Sequence, residues 1–420
     1  MSVETLTLII FGLLLLQVVA GAGVWLFRRV RNPPQPKAVV KAIQPMMPSA
    51  SSTATDGWEG FREFKVERRI YEDESHSICS FYLIPVDGTA LPLFRPGQFL
   101  TFKLARSDRK ESDLKPLVRC YSLSDRPGQD YYRISVKRQL APADERDLPP
   151  GAGSNFLHDH VIDGTRLSVR APSGHFYLME EELIPVVLVG GGIGITPMLS
   201  ILNTLLDSGS RREIYLFYGV RNGSQHIMKA HLETLSKEYP NFHLHVCYSR
   251  PAESDLEGVD YHHRGHVDIQ LLRLTLKRVR HQFYICGSKP MMETLVPALE
   301  EWGVDDNDIH YESFGPASLA KRDKPKPLVD EVATGQNPTI TFSQSEKVIH
   351  WDPMADSLLN LAEENGIEVD SGCRAGSCGC CQVSIEAGEV EYSQEPDAEI
   401  EPGHCLLCIS TPKNNITLSA

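Results

Sequence analysis

Val186-Val-Leu-Val-Gly190-Gly-Gly-Ile-Gly-Ile-Thr196-Pro197 decides how the middle of this chain folds. The four apolar residues make a buried strand. The glycines make a tight turn, and an apolar-periodic helix follows from Met198. Strand, glycine turn and helix bring backbone N–H groups and a helix N-terminus up to a phosphate. Pro197 suits the first helical turn. The glycines read G-x-G-x-x-P from Gly192, which is not the G-x-G-x-x-G dehydrogenase fingerprint. Downstream, Ile214-Tyr-Leu-Phe-Tyr218, Leu244-His-Val-Cys-Tyr248 and Phe283-Tyr-Ile-Cys286-Gly287 read as further strands. The expectation is a parallel α/β sheet.

Upstream, residues 61–178 read as short β runs separated by Gly, Pro and Asp, which predicts a small antiparallel barrel. Three motifs occur in order: Arg95-Pro-Gly-Gln-Phe99, Arg119-Cys-Tyr-Ser122 and Gly151-Ala-Gly-Ser154-Asn155. An Arg, a Tyr and a Ser at this spacing can serve a phosphorylated aromatic ligand. The guanidinium pairs with phosphate, the ring stacks, and the Gly-Ser turn offers N–H groups to a pyrophosphate.

Six of the ten cysteines fall in residues 373–408. Cysteines clustered in a chain of 420 residues read as metal ligands in a reducing compartment, not as a disulfide scaffold. Cys373-Arg-Ala-Gly-Ser-Cys378-Gly-Cys-Cys381, with Cys408 beyond, gives the C-x4-C-x2-C…C spacing of plant-type [2Fe–2S] sites. A zinc reading pairs Cys378-x2-Cys381 with Cys405-x2-Cys408, but leaves Cys373 and the glycine-rich loop unexplained. Cys380 and Cys405 are extra to the [2Fe–2S] pattern.

In this order the motifs resemble the ferredoxin–NADP reductase superfamily, most closely the reductase half of flavohaemoglobins, over residues 61–317. The C-terminal part resembles ferredoxin over residues 339–418, a β-grasp α+β fold. The resemblance implies that Arg119, Tyr121 and Ser122 hold the flavin ring and phosphate, and that Val136, Lys137 and Arg138 line the same site. It assigns the pyrophosphate to Gly153 and Ser154, and residues 154–159 favour FAD over FMN. It assigns the nicotinamide dinucleotide to Gly191, Gly192, Gly194, Thr196 and Pro197, with Cys286 and Gly287 near the nicotinamide. A plain buried cysteine is the alternative for Cys286. Ser313, Phe314, Gly315 and Pro316 match the end segment whose aromatic covers the flavin. Ser122, Cys286 and Glu312 are the catalytic candidates, and Cys373, Cys378, Cys381 and Cys408 the cluster ligands. Ser249-Arg250 occurs in relatives of both coenzyme preferences; the reading favours NADH, with NADPH as the alternative.

Residues 6–27 form an uncharged, mostly apolar run, long enough as a helix to cross a hydrocarbon core of ~30 Å. Arg28, Arg29 and Arg31 follow it, which by the positive-inside rule puts the remainder in the cytoplasm. The expectation is an N-terminal transmembrane helix and an inner-membrane, single-pass protein; a cleaved signal peptide is the alternative. The expected division is anchor 1–28, linker 29–58, flavin barrel 59–180, α/β domain 181–318, linker 319–336 and cluster domain 337–420.

The net charge of −13 offers no basic footprint for nucleic acid. Residues 338–420 hold 14 Asp and Glu against 3 Lys and Arg, a net −11 of that total. This is a solvated acidic surface or a docking face for a basic partner. A flavin belongs between a two-electron hydride donor and a one-electron cluster. The reading is therefore an oxidoreductase that takes hydride from NADH onto FAD, passes electrons to a [2Fe–2S] cluster and delivers them to a protein acceptor. An oxygenase, a desaturase or a hybrid-cluster protein is the expected acceptor, with a membrane-bound one favoured by the apolar run. The rival class is a quinone reductase or a redox subunit of a larger complex.

Overall fold

The computed structural model describes residues 57–73, 75–104, 117–141, 150–180, 182–313, 337–352, 355–396 and 398–420. They form three main sheets and a two-stranded ribbon.

The first is a six-stranded antiparallel barrel in the order β4-β3-β6-β1-β2-β5. Its strands are β1 (Arg62–Tyr71), β2 (Ile78–Pro85), β3 (Phe99–Leu104), β4 (Leu117–Ser122), β5 (Tyr132–Lys137) and β6 (Arg166–Ser173). The sheet closes on itself just beyond β4, where Leu123 bridges Ile134. Alternate residues point inward, and the interior is filled by Phe64, Phe81, Leu100, Phe102, Ile134 and Val169, all fully buried. A short helix, α1 (Ala152–His160), lies against it.

The second sheet is wholly parallel, in the order β10-β9-β8-β7-β11-β12. These strands are β7 (Val186–Gly191), β8 (Ile214–Val220), β9 (Phe242–Tyr248), β10 (His263–Arg264), β11 (Gln282–Gly287) and β12 (Ile309–Ser313). Strand order reverses between β7 and β11, and open α/β sheets bind ligands at such a switch point, at the carboxyl ends of the strands. Helix α2 (Ile195–Asp207) begins three residues earlier than its periodicity predicts. Pro197 permits this, because a first-turn residue needs no N–H partner and proline's fixed φ is already helical.

The third sheet is mixed, with order β14-β13-β19-β15-β17. Its strands are Thr339–Phe342 (β13), Lys347–His350 (β14), Gln382–Ala387 (β15), His404–Leu406 (β17) and Ile416–Leu418 (β19), while β16 (Val390–Tyr392) and β18 (Ser410–Pro412) pair apart from it as the antiparallel ribbon. The helix Leu358–Glu364 packs its Leu358, Leu359, Leu361 and Ala362 onto the core of this sheet.

The barrel, the α/β sheet and the ferredoxin-like sheet stand as expected. One part of the expected fold class is corrected. Among the described residues no helix is long and apolar enough to cross a membrane. The expected N-terminal transmembrane helix is thus not among the described elements, and residues 6–27 lie outside the described residues. The segment 319–336 also lies outside them, as does nearly all of 29–58.

One arginine ties the connector leaving the barrel to the α/β sheet. Arg212, only 6 % exposed, donates from Nε to the Ile184 carbonyl at 2.7 Å, from Nη1 to the Met179 carbonyl at 3.3 Å and from Nη2 to Gln282 Oε1 at 2.8 Å. Arg212→Met strips donors from these buried acceptors and should cost about 1–3 kcal/mol. Thermal unfolding should show the midpoint falling by roughly 2–4 °C per kcal/mol; an unchanged midpoint would mean that the connector is held elsewhere.

Candidate functional site

The three sheets meet at one cavity of about 430 Å3. Strand β4 supplies Arg119, Cys120, Tyr121 and Ser122, and β5 supplies Ser135, Val136 and Lys137. The glycine turn after β7 and the start of α2 supply Ile193 and Thr196, and β12 supplies Glu312. Ser371, Gly372, Cys373 and Arg374 complete the wall from the ferredoxin-like domain. Phe99 and Gly151 also face it.

Two buried oxygens in this wall, Ser122 Oγ and Glu312 Oε2, have no hydrogen-bond partner in the protein. A buried polar atom without a partner is costly, so both atoms fit a polar ligand that covers them. Glu312 is enclosed, and burial pushes its carboxyl up to about 7. Cys286 lies opposite Glu312 in the β11–β12 register and is fully buried. Burial first, and then the Glu312 charge, raise its thiol well above the ordinary value. Burial also raises the Tyr121 phenol, and burial followed by the Arg221 charge lowers the Lys137 ammonium.

Two glycines set the geometry. A Cβ on Gly153 would come within 2.7 Å of Arg119 Cγ and 2.9 Å of Tyr121 Oη. The absence of a side chain there lets α1 press onto the β4 residues that serve the cavity. A Cβ on Gly194 would lie 2.1 Å from the Cys286 carbonyl oxygen and 2.5 Å from its carbon. Only glycine lets the turn after β7 lie against the end of β11. Thr196 donates from Oγ1 to the Ile193 carbonyl at 3.0 Å, which closes the turn.

The structure gathers Arg119, Tyr121, Ser122, Val136, Lys137, Thr196 and Glu312 at the cavity, as expected. Gly191, Gly192, Gly194 and Pro197 lie in the adjoining turn and first helical turn. Cys286 and Gly287 end the neighbouring strand, and Gly287 is in register with Ser313. The Ser154 hydroxyl donates to the Gly151 carbonyl at 3.2 Å and accepts from the Gln139 N–H at 3.1 Å, and Gly151 faces the cavity beside it. Arg138 turns away, to Asp159 at 2.7 Å and Asn155 at 3.1 Å. Phe314, Gly315 and Pro316 lie outside the described residues. The contribution of Ser371–Arg374 to this wall was not foreseen, because contact between domains leaves no local pattern.

The cysteines form two pairs. The Cys373 N–H points to Cys378 Sγ at 3.2 Å, and the N–H groups of Ser377, Cys378 and Ala375 point to Cys373 Sγ at 3.2, 3.3 and 3.4 Å. Cys381 and Cys408 contact each other through their thiols. Backbone donors converging on sulfur fit an anionic sulfur centre. Arg374, Gly376 and Gly379 bend the loop at positive φ. Among the described residues no set of three or more His, Cys, Asp or Glu converges on a single-ion position.

Comparison with known proteins agrees with this arrangement. The chain matches the oxidoreductase NAD-binding domain family over residues 188–296 and the 2Fe-2S iron-sulfur cluster binding domain family over residues 340–413. A flavohemoprotein of Halalkalibacterium halodurans is 40 % identical over 275 residues, 66 % of this chain and 65 % of its own length. One from Bacillus thuringiensis subsp. konkukian is 40 % identical over 277 residues, 66 % of each chain. The chain thus spans 65–66 % of the length of these curated relatives. The flavohem-like FAD/NAD binding domain of nitric oxide dioxygenase from Vibrio cholerae O1 biovar El Tor is 30 % identical. It is covered in full by 61 % of this chain, with a TM-score of 0.53. Phthalate dioxygenase reductase, described as a modular structure for electron transfer from pyridine nucleotides to [2Fe-2S], shares the fold over 86 % of this chain and 98 % of its own. Its identity to this chain is 24 % and its TM-score 0.51.

Two outcomes follow from the geometry. Gly194→Ala forces the turn off the Cys286 carbonyl; NADH-dependent flavin reduction should fall by tenfold or more, read by stopped flow. Glu312 carries a second signature. Its folded pKa of about 7 exceeds the usual 4.5, so its contribution to stability is complete below about pH 4.5 and is lost as pH rises through about 7. Thermal melts from pH 4 to 9 should show Glu312→Gln gaining on wild type by about 3 kcal/mol across that window and holding the gain above it.

Proposed function

Since the chain belongs to the ferredoxin–NADP reductase superfamily, as a flavohemoprotein-type FAD/NAD reductase module joined to a [2Fe–2S] ferredoxin domain, we propose that it delivers electrons from NADH to an oxygenase-type protein acceptor. The observation that supports this most is the shared cavity, whose wall combines Arg119, Tyr121 and Ser122 with Thr196 and with Ser371–Arg374. A flavin, when bound, accepts hydride and releases electrons singly, which is the conversion that a nicotinamide and an iron–sulfur cluster need between them.

The residues divide the work. Arg119 offers a guanidinium to the flavin phosphate, and the N-terminus of α1 at Gly151 and Gly153 adds backbone N–H groups beside it. Tyr121, packed on Gly153, holds the ring. Ser122 and Glu312 bring their unpartnered oxygens to the reacting face, where Glu312 can hold a proton near neutral pH. Gly191, Gly192 and Gly194 let the dinucleotide backbone approach the N-terminus of α2. The pairs Cys373/Cys378 and Cys381/Cys408 suit a two-iron group better than a single metal ion. All ten cysteines are free, in keeping with a reducing compartment.

The acidic surface is proposed as the acceptor's docking face. Glu395, Glu399 and Glu401 form an exposed acidic run near Cys408.

Chemical analysis should find two irons and two acid-labile sulfides per chain beside one FAD. Cys373→Ser should lose the iron and sulfide while NADH still bleaches the flavin. Zinc without labile sulfide would end the cluster reading. Neutralising Glu395, Glu399 and Glu401 should slow reduction of a protein acceptor several-fold at low salt and remove most of its salt dependence. Flavin reduction by NADH should change little. An acceptor step indifferent to both salt and charge would leave the acidic run as a solvated surface.

A further inference from the structure

Cluster ligation does not account for all the sulfur at the junction of the barrel and the ferredoxin domain. A Cβ on Gly372 would stand 2.9 Å from Cys378 Sγ, 3.1 Å from Cys380 Sγ and 3.5 Å from Cys120 Sγ. Two of these sulfurs belong to the cluster loop itself. The third comes from β4 of the barrel, between Arg119 and Tyr121. Cys120 lies opposite Thr101 in the β3–β4 register, with Thr101 Oγ1 3.4 Å from its sulfur. Its sulfur lies beside that of Cys378 over Gly372. A second barrel residue reaches the same place. Arg170 on β6 donates from Nη1 to the Cys378 carbonyl at 2.9 Å, and its guanidinium lies 5.0 Å from the centre of the Phe61 ring. The barrel therefore grips one residue of the cluster loop at both its sulfur and its carbonyl.

We propose that Cys120 and Arg170 are positioning residues through which the flavin barrel sets the redox poise of the cluster, Cys120 by donating its S–H to the Cys378 sulfur and Arg170 by placing a cation on the carbonyl of the same residue. The inference rests on the reading of Cys378 as a cluster ligand. Reduction adds one electron to the cluster, and much of that charge falls on the sulfurs. A hydrogen-bond donor at one of them and a cation on the same residue's carbonyl lower the cost and raise the potential. For each electron that leaves the reduced flavin, one arrives on the cluster. Contact with the barrel thus favours the electron's arrival. A ferredoxin domain that has left the barrel loses both groups and becomes the stronger reductant, which favours delivery outward. The face that receives electrons would then differ in driving force from the state that gives them up. Cys380 belongs to the cluster loop, so it cannot make this distinction.

The test is a dye-mediated redox titration of the full-length protein. The reduced cluster is followed by its electron paramagnetic resonance signal and the flavin separately by its visible absorbance. Wild type, Cys120→Ala, Cys120→Ser and Arg170→Gln are compared. Cys120→Ala should shift the flavin–cluster electron equilibrium about three- to tenfold against the cluster, the size of one ordinary hydrogen bond. That is a fall of up to about 59 mV for one electron. Cys120→Ser keeps a donor and should stay at or above wild type. Arg170→Gln should also lower the cluster's potential. A cluster potential unmoved in Cys120→Ala, or lowered equally in Cys120→Ser, overturns the proposal. If Cys120→Ala fails to retain its iron, Arg170→Gln decides, because it touches no thiol: a lowered potential supports the proposal and an unchanged one overturns it. Absence of labile sulfide and of the resonance signal in wild type would instead strike at the ligand reading itself.

Discussion

Strand β4 is shared between two neighbours, and the centre of the molecule depends on that sharing. In a strand, successive side chains point to opposite faces. Arg119 and Tyr121 meet α1 at Gly153. Cys120, turned the other way, meets the cluster loop at Gly372. Six residues of backbone thereby fix the phosphate end of the flavin site and the near edge of the cluster domain relative to each other. The approaching segment contributes no side chain at either contact. Both neighbours approach through a glycine, so a rigid strand sets the separation.

The second fixed relation runs through the parallel sheet. Strand order reverses between β7 and β11, which leaves a crevice at their carboxyl ends. Gly194 seats the phosphate-facing turn directly on the Cys286 carbonyl. The residue that follows from β12, Glu312, is then carried into the cavity as a buried carboxyl. The nucleotide-binding turn and the acid at the flavin face are thus two strand ends of one sheet, held by backbone hydrogen bonds. Burial of Glu312 raises its pKa toward neutrality, and a group poised near the working pH is best suited to hold or release a proton there.

Charge is distributed along the same axis. The cluster domain carries nearly all of the chain's excess negative charge. Where it touches the barrel, the barrel offers Arg170 to a backbone carbonyl, not a row of lysines to carboxylates. The acidic run at Glu395, Glu399 and Glu401 is left exposed. Internal contact is accordingly specific and short-ranged, while the long-ranged field remains available for an external partner.

The sequence by itself determined the parts. The strand–glycine–helix unit at residues 186–197, the Arg119-Cys-Tyr-Ser122 strand and the C-x4-C-x2-C loop each follow from local stereochemistry. Period, turn and ligand spacing are properties of neighbouring residues, and so they are legible in a string. That is why Arg119, Tyr121 and Ser122, singled out on one strand, come to line one cavity with Thr196 of the glycine turn's helix. Tertiary structure alone decided the assembly. It put Ser371–Arg374 into the flavin cavity, set Gly151 at its rim, paired Arg138 with Asp159, and brought Cys120 beside Cys378. Each of these depends on a contact between segments far apart in the chain, or on which of two hydrogen-bond partners lies nearer.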